Sequence, residues 1–139
     1  MSLRSIVTTI SLVMVALVAP GASPAQAADC SGSLIEHIAI KTYGHLDVYY
    51  DSATKRNCVK TVSSSSTWGV SKPMAVYLIV CEETKPASSC RQRAMDYDDG
   101  RYQYYAGPRS LPGGGRCIYA IGRIYSWEVS TSPTASHCG

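Results

Sequence analysis

Short apolar runs separated by Gly, Pro and polar clusters dominate the chain after residue 27. Between residues 45 and 50, apolar Leu46 and Val48 alternate with polar His45 and Asp47, a period of two residues that is typical of a half-buried strand. No segment of that region keeps a helical period over ten residues. The pattern predicts strands at residues 34–43, 45–50, 58–63, 74–81, 91–97, 101–106, 117–121 and 124–129.

Residues 74–81 (MAVYLIVC) are apolar on both faces, which predicts a central, fully buried strand. Asp98-Asp99-Gly100 is interpreted as a hairpin turn, Gly107-Pro108 as the end of a strand, and Gly122 as a break between two strands. The expected fold is therefore all-β, a small antiparallel sandwich or barrel of about seven or eight strands.

Residues 1–27 have the composition of a cleaved signal helix. Arg4 precedes an apolar stretch from Ile6 to Val18, and 25–27 (AQA) has the small-residue pattern of a cleavage site. The apolar stretch is shorter than the roughly 20 residues that a membrane anchor needs. We predict a signal peptide at 1–27, a single disulfide-rich β domain at 28–139 with no membrane span, and secretion of that domain to an extracellular location.

All six cysteines follow the predicted signal peptide, and an even number in an exported chain indicates disulfides. Cys81 and Cys90 flank a polar loop, EETKPASS, and form the most local pair. The preferred set is sequential, Cys30–Cys58, Cys81–Cys90 and Cys117–Cys138. The alternative joins Cys30 to Cys138 and Cys58 to Cys117.

Charge and motifs point away from several function classes. The formal net charge of +3 comes without a basic cluster, so we expect no nucleic-acid partner. His37, His45 and His137 lack metal-ligand spacing in the sequence, and we predict no metal and no cofactor. No nucleophile motif is present. An acid–base pair assembled from His45 with Asp47, or from His137 with a carboxylate, remains an alternative. Secreted ribonucleases of this size use a His–Glu–Arg group, and the glutamates of this chain leave that alternative open, namely Glu36, Glu82, Glu83 and Glu128.

Tyrosine is the abundant aromatic residue, with ten Tyr, two Trp and no Phe. The predicted strand 101–106 carries Tyr102 and Tyr104 on one face and Tyr105 on the other. These three tyrosines form a candidate contact surface for a binding partner or for self-association. The alternative is that one face is core and the other is a solvated edge.

Several short blocks of the chain carry a family resemblance. They are Val48-Tyr49-Tyr50 with Asn57-Cys58-Val59, Tyr104-Tyr105-Ala106-Gly107-Pro108, Gly115-Arg116-Cys117, Ser132-Pro133 and the ending His137-Cys138-Gly139. In these blocks the chain resembles the spore-associated protein A family of small secreted actinomycete proteins. The chain departs from the family pattern in an added cysteine pair, Cys81 and Cys90, and in Thr134-Ala135-Ser136 before His137. The resemblance implies association with the spore surface or secretion during sporulation, and it implies no catalytic residues.

Three functions follow from these observations. The first is a secreted, non-enzymatic protein associated with the spore or cell-wall surface. The second is a protease inhibitor that presents the 82–89 loop, with Lys85 offered to a trypsin-like pocket. The third is a small secreted hydrolase or ribonuclease that uses His45 and His137.

Overall fold

The computed structural model describes residues 29–139, so the predicted signal peptide at 1–27 lies outside the described residues. Eight antiparallel strands account for the regular structure of this part of the chain, as the sequence pattern predicts. They are β1 (Ser33–Ile40), β2 (Gly44–Asp51), β3 (Arg56–Ser63), β4 (Lys72–Cys81), β5 (Gln92–Tyr102), β6 (Tyr105–Pro112), β7 (Ile118–Ile124) and β8 (Trp127–Ser130). Within residues 29–139 no helix is long and apolar enough to cross a membrane.

The strands form two four-stranded sheets with the orders β1-β2-β3-β6 and β5-β4-β7-β8. The apolar side chains of the two inner faces pack against each other, which is the arrangement of a β-sandwich. Fully buried core residues come from both sheets, among them Leu46, Val48 and Val59 from the first and Val76, Leu78 and Ile124 from the second.

Strand β4 is central in its sheet, between β5 and β7, as its apolar sequence predicts. The prediction that both of its faces are fully buried is wrong. Met74, Val76, Leu78 and Val80 point into the core, whereas Tyr77 on the outer face is half-buried and stacks on Tyr97 of β5 at 5.5 Å between ring centroids. The outer face of this sheet is therefore a layer of polar and aromatic side chains.

The predicted turn at Asp98-Asp99-Gly100 is wrong, because β5 continues through it in register with β4. Tertiary partners bind the two carboxylates that suggested a turn. Asp99 accepts hydrogen bonds from the Tyr77 hydroxyl at 2.8 Å and the Arg123 guanidinium at 2.7 Å.

Asp98 lies at the junction of the two sheets. It accepts hydrogen bonds from the Tyr102 hydroxyl and from the backbone N–H of Gly107, and Arg109 lies 3.6 Å away. Burial pushes the pKa of Asp98 upward, but these two donors and the Arg109 charge outweigh it and hold the pKa below 3.8. The ionised carboxylate thus ties β5 to β6.

Two glycines predicted to end strands lie inside them. Gly107-Pro108 forms a bulge in β6, where the register against β3 shifts and Gly107 has a φ of 86°. Gly122 lies in the middle of β7, where a Cβ would come within 2.8 Å of Thr61 Oγ1 and 2.9 Å of Leu46 Cβ in the facing sheet. Glycine at 122 therefore permits close approach of the two sheets rather than a turn.

Three disulfides lie at one end of the sandwich, where β3 and β7 begin and β4 ends. The pairs are Cys30–Cys58, Cys81–Cys90 and Cys117–Cys138, which is the sequential set. This end also holds the chain terminus, since the N–H of Ile118 donates to the carbonyl of Ser136 at 2.7 Å. We call it the disulfide end.

Candidate binding surface

The opposite end of the sandwich carries most of the exposed aromatic rings. In this antiparallel topology the connections 41–43, 64–71, 103–104 and 125–126 all reach that end. Four aromatic residues lie in these connections, and Trp127 lies directly after the last of them as the first residue of β8; the five are Tyr43, Trp68, Tyr104, Tyr125 and Trp127. We call this group the aromatic end. Both tryptophans of the chain belong to it, with 55% of Trp68 and 46% of Trp127 exposed.

The rings of the aromatic end contact one another in pairs. Trp68 and Tyr104 lie 4.9 Å apart between centroids, and Tyr43 meets Tyr125 edge to face at 5.2 Å. The Lys41 ammonium lies 4.4 Å from the Trp127 ring centre, a cation–π contact. The outer faces of Trp68, Tyr104 and Trp127 remain open to solvent.

A buried lysine holds the loops of the aromatic end together. Lys72 has no exposed surface, and its Nζ donates hydrogen bonds to the carbonyls of Thr67 and Val70, both at 3.0 Å, and of Gln103 at 3.3 Å. Burial lowers the pKa of Lys72 below 10.5. The first two carbonyls belong to residues on either side of Trp68 in the chain, and the third belongs to the residue before Tyr104. The Lys72 ammonium group therefore holds the backbone of both aromatic residues in place.

Further hydrogen bonds connect the loops to one another. The Thr67 hydroxyl donates to the carbonyl of Tyr43 at 2.6 Å, and the hydroxyls of Ser64 and Ser66 donate to the carbonyl of Thr42 at 2.6 and 3.0 Å. The serine run is therefore a structured part of this end. The aromatic rings of this end are therefore attached to loops whose backbone is held in place by several hydrogen bonds.

Two residues of this end have backbone conformations that L-residues rarely adopt. Lys41 has a φ of 51° and Tyr125 a φ of 56°. A bulky residue costs about 1–3 kcal/mol in such a conformation, and strain of this kind is concentrated at functional sites. Glycine would remove the strain at Tyr125 and would also remove the contact with Tyr43.

The three tyrosines singled out from the sequence do not share one strand. The predicted strand 101–106 is wrong, because β5 ends at Tyr102 and β6 begins at Tyr105. Tyr102 is half-buried against the core, and Tyr105 is half-buried in β6. Only Tyr104 of the three is exposed, with 42% of its surface accessible, and it belongs to the aromatic end.

The surface offers flat, exposed rings beside a cleft of 350 Å³ lined by Ile40, Lys41, Trp127 and Val129, among others. Aromatic rings with a few polar groups between them suit ligands that have both flat apolar faces and hydroxyl groups. The arrangement is therefore suited to binding by stacking.

A second group of chemically active side chains lies on the outer face of β1 and β2. His37 Nδ1 is 2.7 Å from Asp47 Oδ1, and His45 Nε2 is 3.2 Å from Asp47 Oδ2. Burial is the main cause that lowers the pKa of His45 below 6.5, and the charge of His37 acts in the same direction. The Asp47 carboxylate opposes both, because its negative charge raises the pKa. This cluster could not be predicted from the spacing of the histidines in the sequence. It depends on the register of the β1–β2 hairpin, which pairs His37 with Asp47.

Both histidine–carboxylate pairs considered for catalysis are present, on opposite faces of the first sheet: His45 lies against Asp47, and His137 lies against Glu36. His137 Nε2 contacts Glu36, whose cross-strand partner is the buried Val48, so Glu36 faces inward. Its neighbour His37 faces outward, because alternate residues of a strand point in opposite directions. His45 and His137 therefore belong to two separate histidine–carboxylate pairs, and a catalytic role for either pair stays a prediction.

The loop proposed for protease inhibition lies at the disulfide end. Lys85 is exposed, and the loop is anchored by the disulfide between Cys81 and Cys90. Ala87 adds a two-hydrogen-bond bridge to Ala135 at 3.1 and 3.0 Å. The loop is thus well separated along the strands from the aromatic end.

Fold and surface together define a small disulfide-stapled β-sandwich with exposed aromatic side chains concentrated at one end. The chain is similar to Spore-associated protein A of Streptomyces coelicolor, with 28% identity over 109 residues. The match covers 76% of this chain and 60% of the relative, so the chain spans less than two thirds of that protein. This similarity supports the family resemblance seen in the sequence. No family model matches the chain, and no solved structure matches it.

Proposed function

We propose that this protein is exported and attaches, without catalysing a reaction, to the spore or cell-wall surface through its aromatic end. The single observation that carries the proposal is the concentration of both tryptophans and of Tyr104 and Tyr125 at one end of the sandwich. The name of the relative and the three disulfides are compatible with a location outside the cell or on the spore.

The chemistry of the aromatic end favours a glycan of the wall as the ligand. Sugar rings present flat C–H faces that stack on aromatic rings, and their hydroxyls can bind the polar groups of the surrounding loops. Because Lys72 fixes the loop backbone before binding, little conformational entropy is lost when the ligand stacks.

Co-sedimentation with isolated, protein-free walls and with washed spores tests the proposal. Trp68→Ala and Trp127→Ala remove one exposed ring each, and we expect each to weaken binding about tenfold, the effect of losing roughly 1.4 kcal/mol. Met95→Ala is the control, because Met95 is 42% exposed on β5, away from the aromatic end.

Unchanged binding by both tryptophan variants would contradict the proposed surface, and failure of the unaltered protein to sediment would contradict the attachment itself. Self-association is the competing use of the same rings. Sedimentation velocity without walls distinguishes the two, because attachment to walls predicts a monomer at the concentration used for binding.

Protease inhibition is a second candidate, favoured by the exposure of Lys85 on a loop held by both a disulfide and the Ala87–Ala135 bridge. A rigid loop that presents a basic side chain fits the pocket of a trypsin-like protease. Inhibition of such a protease that is lost in Lys85→Ala supports this function. No inhibition at micromolar concentration of the unaltered protein removes it.

A further inference from the structure

The hairpin of β1 and β2 brings three potential metal ligands to one patch. His37 lies opposite Asp47 in the ladder, and His45 precedes Asp47 by two residues on the same strand, so all three side chains leave the same face of the sheet. One ligand atom from each residue lies within 4.8 Å of the others.

We propose that His37, His45 and Asp47 form a site for a divalent transition-metal ion, with Zn²⁺ the ion that fits the ligands best. Two imidazole nitrogens and one carboxylate oxygen are ligands that Zn²⁺ takes in proteins. Three protein ligands leave a fourth tetrahedral position, which solvent can fill because the His37 side chain is 53% exposed.

The observed separations are close to those that coordination requires. With Zn–N distances of about 2.0–2.1 Å, neighbouring ligand atoms of a tetrahedral site lie roughly 3.3 Å apart. The distance from His37 Nδ1 to Asp47 Oδ1, 2.7 Å, and the distance from His45 Nε2 to Asp47 Oδ2, 3.2 Å, lie near this value, and the imidazole centroids are 4.2 Å apart. Because the two histidines contact different oxygens of the same carboxylate, binding of one ion requires the side chains to turn toward it.

The charges around the three residues also suit a metal ion. The buried Asp47 carboxylate, 8% exposed, supplies negative charge. Lys60 is the cross-strand partner of Asp47, but its Nζ is paired with Asp29 Oδ1 at 2.6 Å, so its positive charge is partly neutralised.

Isothermal titration of the purified, disulfide-bonded protein with Zn²⁺ at pH 7.5 tests this inference. We expect one saturable site, and affinity reduced on the order of tenfold or more in His37→Gln and in Asp47→Asn. Because the His37 side chain is 53% exposed, we expect His37→Gln to fold normally. His137→Gln is the matched control, because that histidine pairs with Glu36 on the other face and its loss leaves the site intact.

Two further readouts separate coordination from nonspecific binding. Co²⁺ in place of Zn²⁺ should give intense visible absorption bands typical of a four-coordinate site, and they should be absent in His37→Gln. Zn²⁺ binding should weaken between pH 7.5 and pH 5 as protons compete for the imidazoles. Absence of a saturable site, or equal affinity in His37→Gln, Asp47→Asn and the control, overturns the inference. The test uses no walls or spores, so its result is independent of surface attachment.

Discussion

Replacing Lys72 by Met tests whether the buried ammonium organises the aromatic end. Met fills a similar volume without charge or hydrogen-bond donors, so the substitution removes three hydrogen bonds and little packing. The carbonyls of Thr67 and Gln103 each keep another donor, the N–H groups of Val70 and Gly69 at 3.2 and 3.1 Å. The carbonyl of Val70 belongs to an exposed loop residue that water can reach.

The net cost follows from two opposing contributions. Hydrogen bonds from a charged group contribute roughly 1.5–3 kcal/mol each, whereas removing a buried charge recovers several kcal/mol of desolvation. Because two of the three carbonyls stay paired, we expect the free energy of unfolding to fall by about 2 kcal/mol. For a domain of this size that corresponds to a Tm lower by about 8 °C.

Guanidinium unfolding and near-ultraviolet circular dichroism measure the two consequences. The dichroism should lose intensity well below the Tm, because Trp68 no longer stacks firmly on Tyr104. Lys85→Met is the control, since Lys85 is exposed at the disulfide end and its replacement should change the unfolding free energy by less than about 0.5 kcal/mol. A Lys72→Met variant as stable as the unaltered protein, with the same near-ultraviolet spectrum, would refute the reasoning.

Three other predictions concern the sandwich itself. Because the folded-state pKa of Asp98 lies below 3.8, the stability that its ionised carboxylate contributes to the fold is present above that pH and is lost as pH falls through the folded-state pKa. In urea unfolding, Asp98→Asn should therefore be less stable than the unaltered protein above pH 3.8, and this difference in unfolding free energy should shrink below pH 3.8. Gly122→Ala should lower the unfolding free energy by about 1–3 kcal/mol, since its Cβ would press on Leu46, and an unchanged Tm would contradict the tight sheet contact. Replacing Cys30 and Cys58 together by Ala should cost about 3–4 kcal/mol in chemical unfolding, given their separation of 28 residues, and a loss below about 1 kcal/mol would count against that loop-closure argument.

The fold class was predictable because alternation and cysteine count are local or compositional signals. Most runs of apolar and β-branched residues correspond to one strand each, with the run at 101–106 as an exception, and the loop closed by Cys81 and Cys90 is visible as a polar segment between two cysteines. The errors concern residues whose role depends on distant partners. Asp98-Asp99-Gly100 has the composition of a turn, yet β4 supplies a complete ladder for it. Gly122 resembles a break, yet the facing sheet requires its small size.

The aromatic end was harder to predict for the same reason. Trp68, Tyr104 and Trp127 are far apart in the sequence and lie at the same end only because alternate connections of an antiparallel sandwich return to it. A lysine just before Pro73 looks like a solvated strand end, and nothing local shows that Lys72 is buried under three carbonyls. Every second connection between consecutive strands lies at the same end of the sandwich, so grouping the predicted connections in this way would have indicated the aromatic end.

Tryptophan emission during titration with isolated walls tests the central claim most directly, because both tryptophans of the chain lie at the aromatic end. We predict a saturable shift of the emission maximum to shorter wavelength as Trp68 and Trp127 leave water, with a midpoint equal to that of co-sedimentation. Binding to walls without any change in tryptophan emission would contradict the account.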